Sequence, residues 1–160
     1  MKFLSILPSL ALVALATSAP AATPGVGPFK TCTGESHLTV SSVSITPAVP
    51  CAAQKYCLTV TGQLSEDITQ GATLNVVGRY FNRVVYIDKQ DIGTLLAEAG
   101  TPLPFPASAP GTNSTVSLCM PFLNGFGFLT GLPLRIDFQA KNGNQNILYC
   151  QYADIVAAQC

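Results

Sequence analysis

The sequence of 160 residues is poor in charged side chains, and it contains no tryptophan and a single histidine. Charged residues make up 10% of it, whereas an ordinary soluble domain has roughly 25%. The eight basic and eight acidic side chains balance each other and form no runs. Binding to nucleic acid requires clustered Lys and Arg, so the composition argues against nucleic acid as a partner.

The sequence also lacks the patterns of common catalytic and metal sites. Its histidine, His37, has no GxSxG or papain-like cysteine motif to accompany it, and no CxxC pair is present. Carboxylates that stand close together in sequence fall in predicted turns, where exposed carboxylates are common. They are Glu66 with Asp67, and Asp88 with Asp91. We therefore expect no enzyme activity, no cofactor and no metal.

The first 21 residues have the features of a signal peptide. A basic residue precedes an apolar run that is too short to span a membrane, and small residues suited to cleavage after Ala19 or Ala21 follow it. We expect the protein to be secreted to the extracellular space, or into a vacuolar or lysosome-like lumen. Residues 22–28 are predicted to be a flexible segment, and residues 29–160 to form one domain.

Beyond residue 29, segments rich in β-branched and aromatic residues alternate with Gly, Pro and Asn, which is typical of an all-β sandwich or barrel. The seven predicted strands span 38–46, 56–64, 72–81, 84–88, 115–121, 133–140 and 147–156. The spacing of apolar residues over 91–99 predicts one short helix. Asn142-Gly143 predicts a tight hairpin between the last two strands, because this pair supplies positive φ angles.

Six cysteines follow the leader, and an even number in an exported chain indicates three disulfides. Spacing alone does not choose among the possible pairings. The cysteines are Cys32, Cys51, Cys57, Cys119, Cys150 and Cys160. Export also predicts a glycan on Asn113, because Asn113-Ser114-Thr115 is an N-glycosylation sequon.

Several large apolar residues stand in segments that Pro and Gly mark as loops. Loops normally run over the surface, so these side chains need a destination. They either close one end of the core or form the mouth of a lipid pocket. They are Phe105, Phe122, Phe126, Phe128, Leu129 and Leu132.

Four segments between residue 29 and about residue 156 carry a family resemblance. They are Phe29-Lys30-Thr31-Cys32, the segment 146–151 around Cys150, the passage 62–72 that opens with Gly62-Gln63-Leu64, and Ile92-Gly93 through Leu103-Pro104. Together they resemble the ML lipid-recognition domains, which include secreted sterol carriers, mite group 2 allergens and fungal phosphatidylglycerol/phosphatidylinositol transfer proteins. The last two segments are most similar to the fungal branch, although Gly93 and Leu103 stand where that branch has two paired cysteines.

The resemblance implies an immunoglobulin-like β-sandwich whose two sheets admit a lipid between them. It also implies disulfides between Cys32 and Cys150 and between Cys51 and Cys57, which leaves Cys119 for Cys160. The candidate residues of the cavity wall are Val76, Phe81, Val85, Ile136 and Phe138. The candidate residues of its mouth are Phe105, Phe126, Phe128, Leu132 and Pro133.

These expectations favour a secreted lipid-binding or lipid-transfer protein that holds a sterol or a phospholipid without covalent chemistry. Each buried methylene contributes ~0.8 kcal/mol, so a long acyl chain can bind without any charged contact. Such a protein would touch membrane surfaces transiently and act as a monomer. The alternative is a secreted interaction or host-directed module with a closed core and no ligand.

Overall fold

Two antiparallel sheets face each other in this computed structural model, which describes residues 22–160. The predicted signal peptide lies outside the described residues. The strands are β1 (Gly25–Val26), β2 (Lys30–Thr31), β3 (Leu38–Thr46), β4 (Lys55–Leu64), β5 (Thr73–Tyr80), β6 (Arg83–Asp91), β7 (Ser114–Pro121), β8 (Pro133–Lys141) and β9 (Ile147–Val156). Helix α1 (Ile92–Glu98) follows β6, and a 3₁₀ helix (Gly127–Leu129) precedes β8.

The large sheet has the strand order β1-β9-β8-β5-β6, with β2 also paired to β9, and the small sheet has the order β3-β4-β7. Alternate residues of each strand point into the space between the sheets, as the period of a strand requires. In β4 the buried residues include Tyr56, Leu58, Val60 and Leu64, with polar residues between them. The two inward faces form one core, and the predicted all-β sandwich with one short helix and disulfides is confirmed.

All seven predicted strands are present, and β3 and β9 have the predicted bounds. The predicted helix is also present. Asp91 caps it, because its carboxylate accepts a hydrogen bond from the backbone N–H of Thr94 at 2.7 Å. Ile92, Leu95 and Leu96 are buried, and the helix packs across the gap between β6 and β7.

The segment 22–28 differs from the flexible lead-in that its composition predicts. Gly25 and Val26 pair with Val156 and Ile155 of β9, and the N–H of Gly27 donates to the carbonyl of Asp154 at 2.7 Å. This backbone pairing extends the large sheet by a short edge strand. A run of two paired residues has no periodicity, which is why the sequence pattern does not reveal it.

The hairpin between β8 and β9 is present, but its glycine has a different role from the one predicted. The residue with positive φ is Gln145, at 72°, rather than Asn142 or Gly143. Gly143 is required by close approach instead, because a Cβ there would overlap the carbonyl oxygen of Gln70.

The structure confirms one predicted disulfide and corrects two. The bonds are Cys32–Cys150, Cys51–Cys160 and Cys57–Cys119. Cys57 does not reach back to Cys51, because it lies opposite Cys119 in the register of β4 and β7. Cys51 lies in the loop after β3 and forms an isolated backbone β-bridge with Ala158. This pairing brings Cys51 beside Cys160.

Candidate functional site

A small apolar cavity lies between the two sheets. Its volume is about 40 Å³, and since a single water needs roughly 10–15 Å³ on this measure, it has room for a few waters but not for an acyl chain. The interior is therefore closed in this structure. Residues that border the cavity include Leu58, Val60 and Leu118 of the small sheet and Leu74, Ala140 and Tyr149 of the large sheet.

Three of the five predicted wall residues lie together in the core. Val76 faces Phe138 across β5 and β8, Ile136 lies on the same inward face, and each is at most 1% exposed. Val85 is half-buried on β6. The prediction for Phe81 is wrong, because β5 ends at Tyr80 and the Phe81 side chain is 83% exposed in the turn that follows.

The predicted mouth residues do not form one opening. Phe126 and Leu132 are half-buried against the core, while Phe128 is 75% exposed and Pro133 is exposed at the start of β8. These four residues lie at the same end of the sandwich. Phe105 lies at the opposite end, where its backbone pairs with that of Ile68, so it is not part of such a mouth.

None of the ten predicted wall and mouth residues borders the cavity. The residues that do border it come from inward-facing positions of both sheets, including β4 and β7 of the small sheet. Strand alternation marks such positions as buried, but it does not indicate where along a strand the packing leaves space. The predicted lipid contacts therefore remain predictions.

One end of the sandwich, which we call the polar end, consists of the loops 65–72 and 142–146. Asn142 is 1% exposed there. Its carbonyl oxygen accepts hydrogen bonds from the N–H and hydroxyl of Thr69 at 2.9 and 3.0 Å and from the N–H of Gly143 at 2.9 Å. Its amide donates to the backbone carbonyl of Asp67 at 2.8 Å and to Glu66 at 3.2 Å. Hydrogen bonds thus fasten the β8–β9 hairpin to the loop after β4.

Glu66 is held in this network as a carboxylate. Besides Asn142, it accepts hydrogen bonds from the amides of Asn146 at 3.0 Å and Asn144 at 3.4 Å. Burial on its own would raise the pKa of Glu66, but these hydrogen bonds and nearby His37 outweigh burial, so the pKa lies below its ordinary value.

The other end, which we call the aromatic end, consists of the turn 81–82, the segment 122–132 and residues 157–160. The rings of Tyr86 and Phe126 meet edge to face with centroids 5.3 Å apart, and those of Tyr56 and Phe122 do so at 5.1 Å. Ring packing, rather than hydrogen bonding between side chains, closes this end. Phe81 and Phe128 project from it into solvent.

Among residues 22–160 no charged residue is fully buried, although Asp88 lies half-buried on the inward face of β6, opposite Val76. In the described part of the chain, Asn142 and Gln151 are the buried polar residues. Burial raises the pKa of Tyr149, whose hydroxyl donates to the Gln151 side chain at 3.2 Å, so this tyrosine stays neutral beside the cavity. Burial, and then the nearby carboxylate of Asp88, raise the pKa of Tyr86 as well. No charged residue borders the cavity, so the cavity suits an apolar molecule rather than an ionic one.

No group of three or more His, Cys, Asp or Glu side chains within residues 22–160 is placed to hold a metal ion. No helix in the same range is long and apolar enough to cross a membrane. Asn113 of the predicted sequon is exposed, and its amide donates to the hydroxyl of Ser41 at 3.3 Å. The predicted glycan would therefore project outward beside the small sheet.

Comparison with known proteins agrees with this architecture. A Niemann-Pick type C2 protein from the Japanese carpenter ant superposes with a TM-score of 0.59 at 13% identity, over 80% of this chain and 98% of that one. Chicken MD-1, solved in complex with lipid IVa, superposes with a TM-score of 0.52 at 13% identity, over 82% of this chain and 98% of that one. At these identities the two structures establish the fold alone.

None of the curated protein sequences matches the chain significantly. The family model of the ML domain, however, matches residues 27–156, so the chain belongs to the ML domain family.

Proposed function

We propose that this protein binds a lipid between its two sheets and carries it without catalysing a reaction. The observation that carries the proposal is the apolar cavity, which residues of both sheets border and no charged residue borders. Membership of the ML family supports it, as does the lipid found in the structurally similar chicken MD-1. The ligand is a sterol or a phospholipid, and the protein acts as a secreted monomer.

Binding requires the sheets to move apart, because the cavity of about 40 Å³ is too small for such a ligand. Of the disulfides among residues 22–160, Cys32–Cys150 and Cys57–Cys119 each lie within one sheet. Cys51–Cys160 joins the small sheet to the large one. Noncovalent contacts of α1 close the β6–β7 edge on the other side, so the bonding pattern permits the sheets to separate there.

The aromatic end is the side that meets a membrane in this proposal. Phe81 and Phe128 are 83% and 75% exposed, and exposed aromatic rings at loop tips favour the interface of a bilayer. Arg83, which follows the Phe81 turn, is also exposed and adds a positive charge. Brief docking through these rings would bring the sandwich to its lipid source.

The first experiment measures bound lipid directly. The secreted protein is purified, its organic extract is analysed by mass spectrometry, and uptake of a fluorescent sterol and of a fluorescent phospholipid from vesicles is followed. We expect a co-purifying lipid and saturable uptake of one probe. An empty extract together with no uptake of either probe would disprove the proposal.

A cavity-filling variant locates the binding site. Val60→Leu adds one methylene beside the cavity, and removing room for one ligand methylene costs ~0.8 kcal/mol, or about fourfold in affinity. Val84→Leu adds the same group at an exposed position of β6 and serves as the control. Equal affinities of the two variants would place the ligand elsewhere.

The membrane contact is tested with vesicles that contain anionic phospholipid. Phe81→Ser with Phe128→Ser should lower vesicle binding and the rate of lipid transfer about tenfold or more, because two apolar rings no longer insert. Ile87→Ser, which removes a side chain 66% exposed on β6, is the matched control. A control variant as defective as the double variant would contradict docking through the aromatic end.

The closed interior also supports the second candidate, an interaction module without a ligand. Leu74→Arg, at a residue that borders the cavity, distinguishes the two. This residue is fully buried, and a rigid core would unfold around the buried charge. A lipid cavity that opens would tolerate the arginine and lose lipid uptake while the fold, measured by circular dichroism, persists.

A further inference from the structure

One lateral edge of the sandwich differs from the others. The other edges are charged or covered. β6 carries the charged residues Arg83, Asp88, Lys89 and Asp91, α1 packs against β7, and β1 and β2 pair with β9. Within residues 22–160, β3 pairs with β4 on one side and with no strand on the other. None of its nine residues is charged or proline. Edge strands usually carry charges, prolines or β-bulges, because these features prevent pairing with other chains, and of these β3 has only a register shift between Val40 and Ser42.

An open slot runs along this free edge. It has a volume of about 570 Å³ and separates β3 from the segment 26–29, which stands opposite it on the large sheet. Among the hydrogen bonds of residues 22–160, none crosses from that segment to β3. Because a strand directs alternate N–H and C=O groups to each side, the outward groups of β3 face this slot without a strand to receive them.

The walls of the slot are uncharged, and they combine serine side chains of β3 with four apolar side chains. Val40 and Val43 on one side and Val26 and Phe29 on the other are half-buried side chains that pack on the core. The Phe29 ring rests on Phe138, with centroids 6.1 Å apart. These side chains would be covered by an occupant of the slot.

A polar group also lies at the slot. Gln151 is 7% exposed and borders it from β9. Its amide nitrogen makes a hydrogen bond of 3.4 Å to the Thr31 hydroxyl, which is long for such a contact. The other N–H of this amide can donate to a backbone carbonyl placed in the slot.

We propose that the slot binds an extended, uncharged peptide segment of another protein, which adds a strand to β3. Main-chain hydrogen bonds to β3 hold the segment, and its alternate apolar side chains cover Val43 and Phe29. A single extended segment needs only the space of the slot, whereas a second copy of this chain would bring its own segment 26–29 to the same edge. This site is separate from the interior, so it does not depend on lipid binding.

The probe is a fluorescein-labelled octapeptide of alternating threonine and valine, measured by fluorescence anisotropy with the full secreted protein. We expect saturable binding. The same peptide with N-methylated valines keeps its side chains but loses backbone donors, and it should bind about tenfold or more weakly. Absent binding of the first peptide, or equal binding of both, would overturn the proposal.

Variants identify the site. Val43→Lys places a charge in the slot and should weaken binding about tenfold or more, while Gln63→Lys on the outer face of β4 should leave it unchanged. Ala48→Lys lies at the exposed end of the slot and gives a second test that does not disturb the core. If Gln63→Lys weakens binding as much as both slot variants, the proposal fails.

Sedimentation equilibrium of the protein alone completes the test. A monomer at all concentrations agrees with a peptide partner. A dimer that Val43→Lys dissociates would show that the occupant is a second copy, which would overturn the proposal as stated. Lipid uptake, measured on the same variants, should remain at the level of the unmodified protein whichever result is obtained.

Discussion

The two ends of the sandwich are closed by different chemistry. At the polar end, one buried side chain, Asn142, makes five hydrogen bonds that depend on the positions of its oxygen and nitrogen atoms. At the aromatic end, rings such as those of Tyr86 and Phe126 pack without a required direction. Directional bonds hold one geometry, whereas apolar packing allows rearrangement at small cost. The side chains of the aromatic end can therefore rearrange more readily than those of the polar end.

The largest expected effect concerns the disulfide at the aromatic end. Cys51→Ser with Cys160→Ser removes a crosslink between residues 109 positions apart, which lowers the free energy of unfolding by up to about 5 kcal/mol in the chain-entropy model. Hydrogen exchange should then be fastest in the segment 122–132. Cys57→Ser with Cys119→Ser, within the small sheet, is the control. If that control loosens segment 122–132 equally, the two sheets are not held by Cys51–Cys160 at this end.

The next effect compares conservative replacements at the two ends. Asn142→Asp keeps the shape of the side chain but removes both amide donors and places a carboxylate near Glu66, so it should cost about 3 kcal/mol. Phe122→Leu at the aromatic end should cost about 1 kcal/mol, because its neighbours can repack. Urea denaturation measures both. Equal costs would contradict the difference that we infer between the ends.

A third comparison uses glycines. Gly143→Ala should lower the free energy of unfolding by about 2 kcal/mol, because the new Cβ overlaps the carbonyl of Gln70 at the polar end. Gly127→Ala at the aromatic end meets no atom within 4 Å and has no positive φ, so its effect should stay within about 0.5 kcal/mol. A destabilised Gly127→Ala variant would show that the aromatic end is packed more tightly than its contacts indicate.

The smallest expected effect is the pH dependence of the polar end. The pKa of Glu66 is lowered in the folded protein, so the stabilisation it provides is present above the ordinary pKa of a glutamate. It is lost as the pH falls through the lowered value. Glu66→Gln should remove this part of the acid dependence of thermal unfolding between about pH 3 and 5, the range around the ordinary pKa of a glutamate. The exposed control, Glu35→Gln, should retain that dependence. Identical acid profiles for Glu66→Gln and the unmodified protein would refute the role of the network.

The strands were predictable because each depends on a local pattern. Alternation such as Leu134, Ile136 and Phe138 against polar neighbours predicts an inward and an outward face, and the structure has both. The helix was predictable for the same reason, since Ile92, Leu95 and Leu96 share one face. The short strand β1 was not, because its two residues are held by pairing with a distant strand.

The disulfides and the interior space depend on tertiary structure, and this limits what sequence can predict about them. Cys57 pairs with Cys119 because β4 and β7 are neighbours in register, which no spacing along the chain indicates. Phe81 looks like the end of an inward-facing strand, but the turn after Tyr80 directs it into solvent. The cavity lies where packing between sheets is incomplete, which is a property of many side chains together.

The position of Cys51–Cys160 determines how the two layers could part. The bond lies at one corner, where the loop after β3 meets the residues after β9, and a layer fixed at one corner swings rather than slides. The swing is smallest beside this pivot and grows toward the diagonally opposite corner, where α1 begins at Ile92 and borders the cavity. A guest molecule would thus find a wedge-shaped space, narrow at the pivot and broad beneath the helix, and its bulkier portion would settle on the helix side.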